Sequence, residues 1–212
     1  MTKPGNLALV VEFEVLFVVL PLAFRFRLIP LPPIPALWLL CSYCLWRLLR
    51  DASFDRQKLW NSAGLRPLLP QILPVFVIVA VGLIFAVRYF APQLLFIFIR
   101  QHPWFWALLM VLYPVLSVYP QGIVYRAFFF QRYRTLFPNN YAVAIASAVA
   151  FSFVHIIFRN EIAVGFTLIG GLFFAWHYVE SDSLFASASE HALYGCLMFT
   201  IGLGDYFYKG AR

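Results

Sequence analysis

Apolar runs long enough to cross a membrane follow one another along almost the whole chain. The hydrocarbon core of a bilayer is about 30 Å thick and is crossed by about 20 residues of α-helix. Runs close to this length occupy seven segments, at residues 7–25, 34–49, 71–91, 104–119, 141–158, 162–179 and 184–203. The sequence therefore predicts an all-α, polytopic membrane bundle of about seven transmembrane helices.

The composition places the chain among integral membrane proteins. Of its 212 residues, 63% are hydrophobic and only 12% are charged, far outside the range of soluble globular proteins. The net charge of +7 is spread over short loops between apolar runs, which is typical of membrane proteins. This distribution argues against nucleic acid as a partner.

The cysteines and the first apolar run also indicate membrane segments. Cys41, Cys44 and Cys196 all lie within apolar runs, which argues against a secreted disulfide framework. The spacing of Cys41 and Cys44 is that of a redox pair, but two small core residues on one helix face are the favoured interpretation. Glu12 and Glu14 interrupt the first run, so we expect a retained span rather than a cleaved signal peptide.

Two histidines lie inside these spans, where an ionisable side chain is by default a candidate for function. At a helical period, His155 shares a stripe with Ala144 and Ala148, and His191 shares one with Ser187. Small residues mark the faces through which membrane helices pack. Both histidines are therefore predicted to point at other helices rather than at lipid.

A third polar face is predicted on the fourth span. Gln121 lines up there with Pro114, Ser117 and Tyr125, and Arg126 follows. A single polar residue of this kind is more often a hydrogen-bonded structural group without chemistry. Three inward polar faces in one bundle favour a site between the helices.

Three short motifs on these faces carry a family resemblance. They run from Gln121 to Arg126, from Phe151 to His155 and from His191 to Gly195. In order and spacing they resemble the Glu-Glu-x-x-x-Arg, Phe-x-x-x-His and His-x-x-x-Asn/Asp motifs of the CPBP family of intramembrane metalloproteases. This family is also called Abi or type II CAAX protease, and it includes the Rce1-type prenyl-protein endopeptidases.

The resemblance has implications for domain organisation. It covers residues 104–204 and implies an Rce1-like protease core formed by the last four helices. Residues 1–103 would then supply N-terminal transmembrane helices with a basic amphipathic loop at about 50–70, which we expect to lie on the lipid headgroups. No internal repeat or low-complexity linker is visible, so a single structural domain is predicted overall.

The resemblance also implies an activity. Members are intramembrane, metal-dependent endopeptidases, so the implied substrate is a membrane-associated or lipidated peptide and the implied cofactor is zinc or another divalent metal. His155 and His191 would be the metal ligands, with Phe151 beside them. The implied location is the inner membrane of a bacterium, in contact with membrane lipid.

The chain departs from the family pattern at the positions that carry the chemistry. Gln121 and Gly122 replace both glutamates of the first motif, and Gly195 replaces the asparagine of the third. An amide cannot act as a general base at neutral pH, and loss of such a group costs about 10²–10⁴ in rate. An inactive pseudoprotease that binds a peptide or lipidated tail is therefore the alternative to an active endopeptidase.

Other ionisable residues have open roles. Glu190 is the first choice for a replacement base, with a structural or histidine-orienting acid as its alternative. Glu12 needs a partner at membrane depth, for which Arg126 or a histidine is expected. Arg126 is predicted either to bind a substrate carboxylate or carbonyl or to lie at the membrane interface, and His177 is predicted to be interfacial.

A small transporter that uses the Glu and His residues as a relay is the least favoured function, because no inverted repeat is visible.

Overall fold

The computed structural model describes residues 6–207, and the regular structure in that range is helical, without strands. The predicted all-α class is confirmed. Seven long helices follow one another: α1 Asn6–Arg25, α2 Pro33–Arg50, α3 Leu69–Phe90, α4 Pro103–Leu136, α5 Asn140–Phe158, α6 Glu161–Ser181 and α7 Leu184–Ile201. Short helical turns connect them at Gln57–Trp60, Ser62–Gly64, Arg66–Leu68, Pro92–Leu94 and Ile97–Gln101.

Among the described residues, 5 helices are long and apolar enough to cross a membrane. They are α1, α3 with its preceding turns, α4, α5 and α6. The other two, α2 and α7, are 18 residues each and contain charged side chains such as Arg47 and Glu190, which lower their mean hydropathy. The chain is thus an integral, multi-pass membrane protein.

α4 is much longer than predicted. The sequence predicted a span that ends at residue 119, whereas α4 continues for 34 residues to Leu136. Pro114 and Pro120 lack an N–H and lie inside this helix. The helix widens into π-helical turns at Pro114–Val118 and Ile123–Phe128. Such local adjustments accommodate proline inside membrane helices and often occur at functional sites.

The second half of α4 lies at the centre of the bundle. Every residue of the π-helical turn Ile123–Phe128 is buried. α2 packs against this turn from one side, and α5 and α6 pack along each other as a helical hairpin beside it. α7 contacts α3, α4 and α6. The core of the protein is therefore built around the segment that follows Gln121.

Side-chain caps fix where the last three helices begin. Asn139, Asn160 and Ser183 accept hydrogen bonds from the backbone N–H three residues ahead, at 2.9, 3.1 and 3.0 Å, at the N-termini of α5, α6 and α7. Such caps stabilise a helix by about 0.5–2 kcal/mol. Ser183 also donates to the carbonyl of Asn61 at 2.6 Å, which ties the start of α7 to the 50–70 segment.

α1 is held to the end of α4 by a partly buried ion pair. The guanidinium of Arg132 donates to both carboxylate oxygens of Glu12, at 2.9 and 2.6 Å, and the hydroxyl of Tyr133 donates to the same carboxylate at 3.2 Å. The partner of Glu12 is thus neither Arg126 nor a histidine, the two candidates that the sequence offered. Arg132 lies nearly two turns further along α4 than Arg126.

The 50–70 segment packs partly against the protein. Phe54 and Leu59 are buried, whereas Trp60 is exposed and stacks on Tyr119. At the end of α2, Gln131 donates to the carboxylate of Asp51 at 2.8 Å, and this hydrogen bond lowers the pKa of that carboxyl. Contact of this segment with lipid headgroups stays a prediction.

Candidate functional site

Two cavities of about 120 Å³ each lie inside the bundle, and His155 lines both of them. The first, which we call the α7 cavity, lies between α4, α5, α6 and α7. Its lining includes Tyr113, Phe151, His155, Phe174, His191 and Gly195. The second, the α2 cavity, lies between α1, α2, α4 and α5, and its lining includes Leu16, Pro21, Ile34, Leu40, Gln121 and His155.

The motif residues are divided between these cavities. Phe151, His155, His191 and Gly195 meet at the α7 cavity, so the second and third motifs come together. Gln121, the first position of the first motif, instead faces the α2 cavity. Its amide donates to the carbonyl and the hydroxyl of Ser117, at 3.0 and 2.8 Å, one turn back on its own helix.

The two histidines are held in different ways. Nδ1 of His155 lies 2.7 Å from the carbonyl oxygen of Phe151. A carbonyl only accepts, so Nδ1 carries the proton and Nε2 is left as an acceptor. The ring of His191 stacks on Phe174, with centroids 4.8 Å apart and planes at 18°, and Nε2 lies 3.5 Å from the hydroxyl of Tyr113. Both side chains are buried, as the small-residue stripes predicted.

Arg126 lies directly behind the wall of the α7 cavity. Its Cζ is 4.3 Å from the ring centroid of Phe151 and 5.4 Å from that of Phe174, and both rings line the cavity. The side chain is 1% exposed, so the interfacial alternative is wrong. Within residues 6–207, none of its three guanidinium nitrogens has a hydrogen-bond partner.

Such an environment is costly for a guanidinium. The group stays protonated in proteins, and a buried charge is normally paired and hydrogen-bonded. Two ring faces contribute about 2 kcal/mol or more when desolvated, but they accept no conventional hydrogen bond. Within residues 6–207 these donors have no hydrogen-bond acceptor, although the charge of Glu190 interacts with the guanidinium.

Glu190 does not face either cavity. Its carboxylate lies 2.7 Å from Nδ1 of His177, and the two side chains are 1% and 7% exposed. His177 was predicted to be interfacial, and this prediction is wrong because α7 covers that side of α6. The pair joins α6 to α7 immediately beside His191. The geometry fits the structural role predicted as the alternative for Glu190, with a partner that the sequence did not indicate.

A comparison with protein families supplies the deciding observation. The family model described as type II CAAX prenyl endopeptidase Rce1-like matches residues 100–197. Over these residues the chain is similar to the Rce1-like family, and we call this segment the Rce1-like domain. The resemblance to the CPBP family is confirmed, and the match includes Gln121, Arg126, His155 and His191. No curated protein and no solved structure gave a match.

In the Rce1-like domain of this chain, glycine occupies two motif positions, and neighbouring side chains fill the space beside each glycine. A Cβ at Gly122 would lie 2.9 Å from Cδ1 of Leu184, so α7 side chains occupy the space of the second glutamate. A Cβ at Gly195 would lie 2.3 Å from both Cε1 and the hydroxyl oxygen of Tyr113. Tyr113 therefore fills the space in which a third-motif side chain would begin.

Sequence reasoning missed three contributors to this site. Tyr113 and Phe174 are aromatic residues in apolar runs and gave no signal that separates them from ordinary core residues. His177 did carry a signal, because it is ionisable and lies near the end of a span, but burial there depends on how α7 packs.

The donor set of the Rce1-like domain does not fit a resident catalytic zinc. Such sites normally use three protein ligands and a water. Within residues 6–207, no group of three or more His, Cys, Asp or Glu side chains is arranged to hold a metal ion. His155 and His191 have no carboxylate beside them in the α7 cavity, and the guanidinium of Arg126 lies behind the same wall.

Proposed function

We propose that the Rce1-like domain binds the polar end of a membrane-associated or lipidated peptide in the α7 cavity and does not cleave it. The observation that carries this proposal is the buried guanidinium of Arg126, which has no hydrogen-bond partner within residues 6–207 and lies behind the cavity wall. The surroundings would be membrane lipid, and we expect the membrane to be a bacterial inner membrane.

Binding is favoured because a ligand can supply what Arg126 lacks. A terminal carboxylate or a backbone carbonyl offers acceptor oxygens, and hydrogen bonds between charged groups are about twice as strong as neutral ones. The lining of the α7 cavity is largely apolar and aromatic, as in most small-ligand sites. A peptide end with an acceptor group and an apolar neighbour matches these surroundings.

Cleavage is disfavoured because no carboxylate from residues 6–207 lines the α7 cavity, where it could activate water. Gln121 is an amide, faces the other cavity and is bonded to Ser117. Glu190 is engaged by His177. General-base catalysis needs a group within hydrogen-bond reach of the attacking water, and neither side chain satisfies that condition at the α7 cavity.

A metal-dependent endopeptidase is the second candidate. It is favoured by the family match and by the position of His155 and His191 on one cavity. It predicts turnover of a peptide that the first candidate only binds.

The test uses a fluorescent ten-residue peptide with an N-terminal palmitoyl chain, prepared with either a free C-terminal carboxylate or a carboxamide. We expect the purified protein in detergent to bind the carboxylate form more tightly. Arg126→Met removes a charged hydrogen bond worth about 1.5–3 kcal/mol, so affinity should fall about 10- to 100-fold.

Arg88→Met is the matched control, because Arg88 is an exposed arginine near the end of α3. This variant should bind like the unaltered protein. Equal affinity of the Arg126→Met variant would contradict the proposed site. Mass spectrometry of the same mixtures detects cleavage, and time-dependent cleavage would favour the endopeptidase.

A further inference from the structure

We propose that Tyr113 is a ligand-binding residue of the α7 cavity and that its hydroxyl replaces the third-motif side chain missing at Gly195. This inference rests on the proposed function and deepens it. It assigns to a residue of α4 a role that the family motif assigns to a residue of α7.

The position of Tyr113 depends on the glycine. The nearest atoms to a Cβ built at Gly195 are Cε1, the hydroxyl oxygen and Cζ of Tyr113, at 2.3, 2.3 and 2.6 Å. These distances are far below van der Waals contact, and no side chain fits at position 195 while the ring stays where it is. The observed position of the Tyr113 ring therefore requires glycine at position 195.

The ring of Tyr113 is fixed by aromatic contacts. It meets Phe199 edge to face with centroids 5.2 Å apart, and it meets His191 at an interplanar angle of 89° and 6.4 Å. Edge-to-face pairs are worth about 0.5–1.5 kcal/mol beyond the area that they bury. The hydroxyl is consequently held at one place on the cavity wall, beside the ring of His191.

The hydroxyl itself is not firmly bonded. Its distance of 3.5 Å to Nε2 of His191 is long compared with the usual range of about 2.5–3.0 Å for hydroxyl donors to oxygen. A buried hydroxyl gains free energy when it exchanges such a weak contact for a good one. An acceptor oxygen bound in the α7 cavity offers that exchange.

The chemistry of the bound group follows from the donors available. Tyr113 lines the cavity and can donate one hydrogen bond. The guanidinium donors of Arg126, unpartnered within residues 6–207, lie behind the rings of Phe151 and Phe174. His155 is left with an acceptor nitrogen. A carboxylate or carbonyl oxygen matches the donors, whereas an ammonium group would be repelled by Arg126. The polar end of the ligand is therefore an acceptor, such as the C-terminus of a peptide.

The experiment measures the dissociation constant of the palmitoylated carboxylate peptide for a set of variants. Tyr113→Phe removes only the hydroxyl and should weaken binding about three- to tenfold, the range expected for one hydrogen bond. Tyr89→Phe is the control, since Tyr89 is 81% exposed at the end of α3. Gly195→Asn should displace the ring and weaken binding, and the double variant Tyr113→Ala with Gly195→Asn should recover part of the affinity.

The outcomes separate this inference from the function on which it rests. If the unaltered protein binds the peptide and Arg126→Met abolishes binding, while Tyr113→Phe binds as tightly as the unaltered protein, the role of Tyr113 is overturned and the function stands. If the unaltered protein shows no binding of the peptide, both are overturned. Loss on Tyr113→Phe together with recovery in the double variant supports the replacement.

Discussion

Arg126 and Arg132 lie about two turns apart on α4 and have opposite environments. Arg132 has the carboxylate of Glu12 as its partner, whereas within residues 6–207 Arg126 has two ring faces, an electrostatic interaction with Glu190 and no hydrogen-bond acceptor. Since buried donors without an acceptor destabilise the folded state, Arg126 is better explained by binding than by stability. The two arginines should therefore respond differently to substitution.

Arg126→Met is expected to raise the free energy of unfolding by about 1–3 kcal/mol, because an apolar side chain of similar length replaces a buried guanidinium whose donors have no acceptor within residues 6–207. Thermal unfolding in detergent, followed by circular dichroism, measures the effect. Arg132→Met is the comparison and should lower stability, since it leaves the carboxylate of Glu12, which is 18% exposed, without its ion-pair partner. A clear loss of stability in Arg126→Met would show that the guanidinium has a structural role.

Gly195 should be far less tolerant of substitution than an exposed helical glycine. Gly195→Ala places a Cβ into the ring of Tyr113, and overpacking of this kind costs about 1–3 kcal/mol. Gly82→Ala in α3 is the control, because nothing lies within 4 Å of its Cβ, and alanine stabilises a helix interior by about 0.5–1 kcal/mol relative to glycine. Opposite shifts in melting temperature are expected, and equal shifts would mean that the Tyr113 ring moves freely.

Single residues show where sequence reasoning succeeds. The inward positions of His155 and His191 could be predicted because small residues repeat at a helical period beside them. The role of Tyr113 could not be predicted, because it depends on the distance between α4 and α7. Two side-chain pairs also depend on packing. Glu12 and Arg132 are 120 positions apart in the sequence, and His177 and Glu190 are 13 positions apart.

The sequence predicted which segments form long helices more accurately than it predicted where those helices end. The apolar runs located all seven long helices, because hydrophobicity determines which segments enter a bilayer. The predicted end of α4 at residue 119 was wrong, because the helix continues past Pro120 to Leu136. In α4, two π-helical turns accommodate the prolines and carry the helix past Arg126.

α6 and α7 are joined by a buried contact whose loss should be costly. His177→Phe leaves the carboxylate of Glu190 buried without its partner, and breaking a buried pair in this way costs about 3–5 kcal/mol. Glu190→Gln keeps an acceptor oxygen for the imidazole and should cost less. Chemical or thermal unfolding of each variant in detergent gives the comparison.

The control for this pair is Lys58 with Asp182, which also reaches α6 but lies at the surface. Its side chains are 32% and 67% exposed, and surface pairs contribute about 0–1 kcal/mol because solvent screens them. Lys58→Met should therefore have little effect. A His177→Phe variant as stable as Lys58→Met would contradict a structural role for the buried pair.

The metal content of the whole protein distinguishes the two proposed functions. We expect detergent-purified protein to contain far less than one zinc per chain by mass spectrometry of metals, because two histidines do not complete a ligand set. The double variant His155→Ala with His191→Ala should give the same value. Near-stoichiometric zinc that disappears in the double variant would instead support the endopeptidase.

The N-terminal half contributes more to the whole molecule than its motif-poor sequence suggested. α1 and α2 form most of the α2 cavity and pack against the centre of α4. Because His155 lines both cavities, the first helices border the region that the Rce1-like domain supplies. The sequence could not predict this arrangement, since no motif marks which faces of α1 and α2 meet α4.

The ion pair between Glu12 and Arg132 imposes an order on biosynthesis. The two residues are 120 positions apart, and ribosomes add about 5–20 residues per second. The carboxylate of α1 is therefore synthesised about 6–24 seconds before its partner. During that interval α1 needs a temporary neighbour, such as the insertion machinery or a hydrated headgroup layer. Crosslinking of ribosome-bound nascent chains through position 12 should capture that neighbour until α4 has emerged.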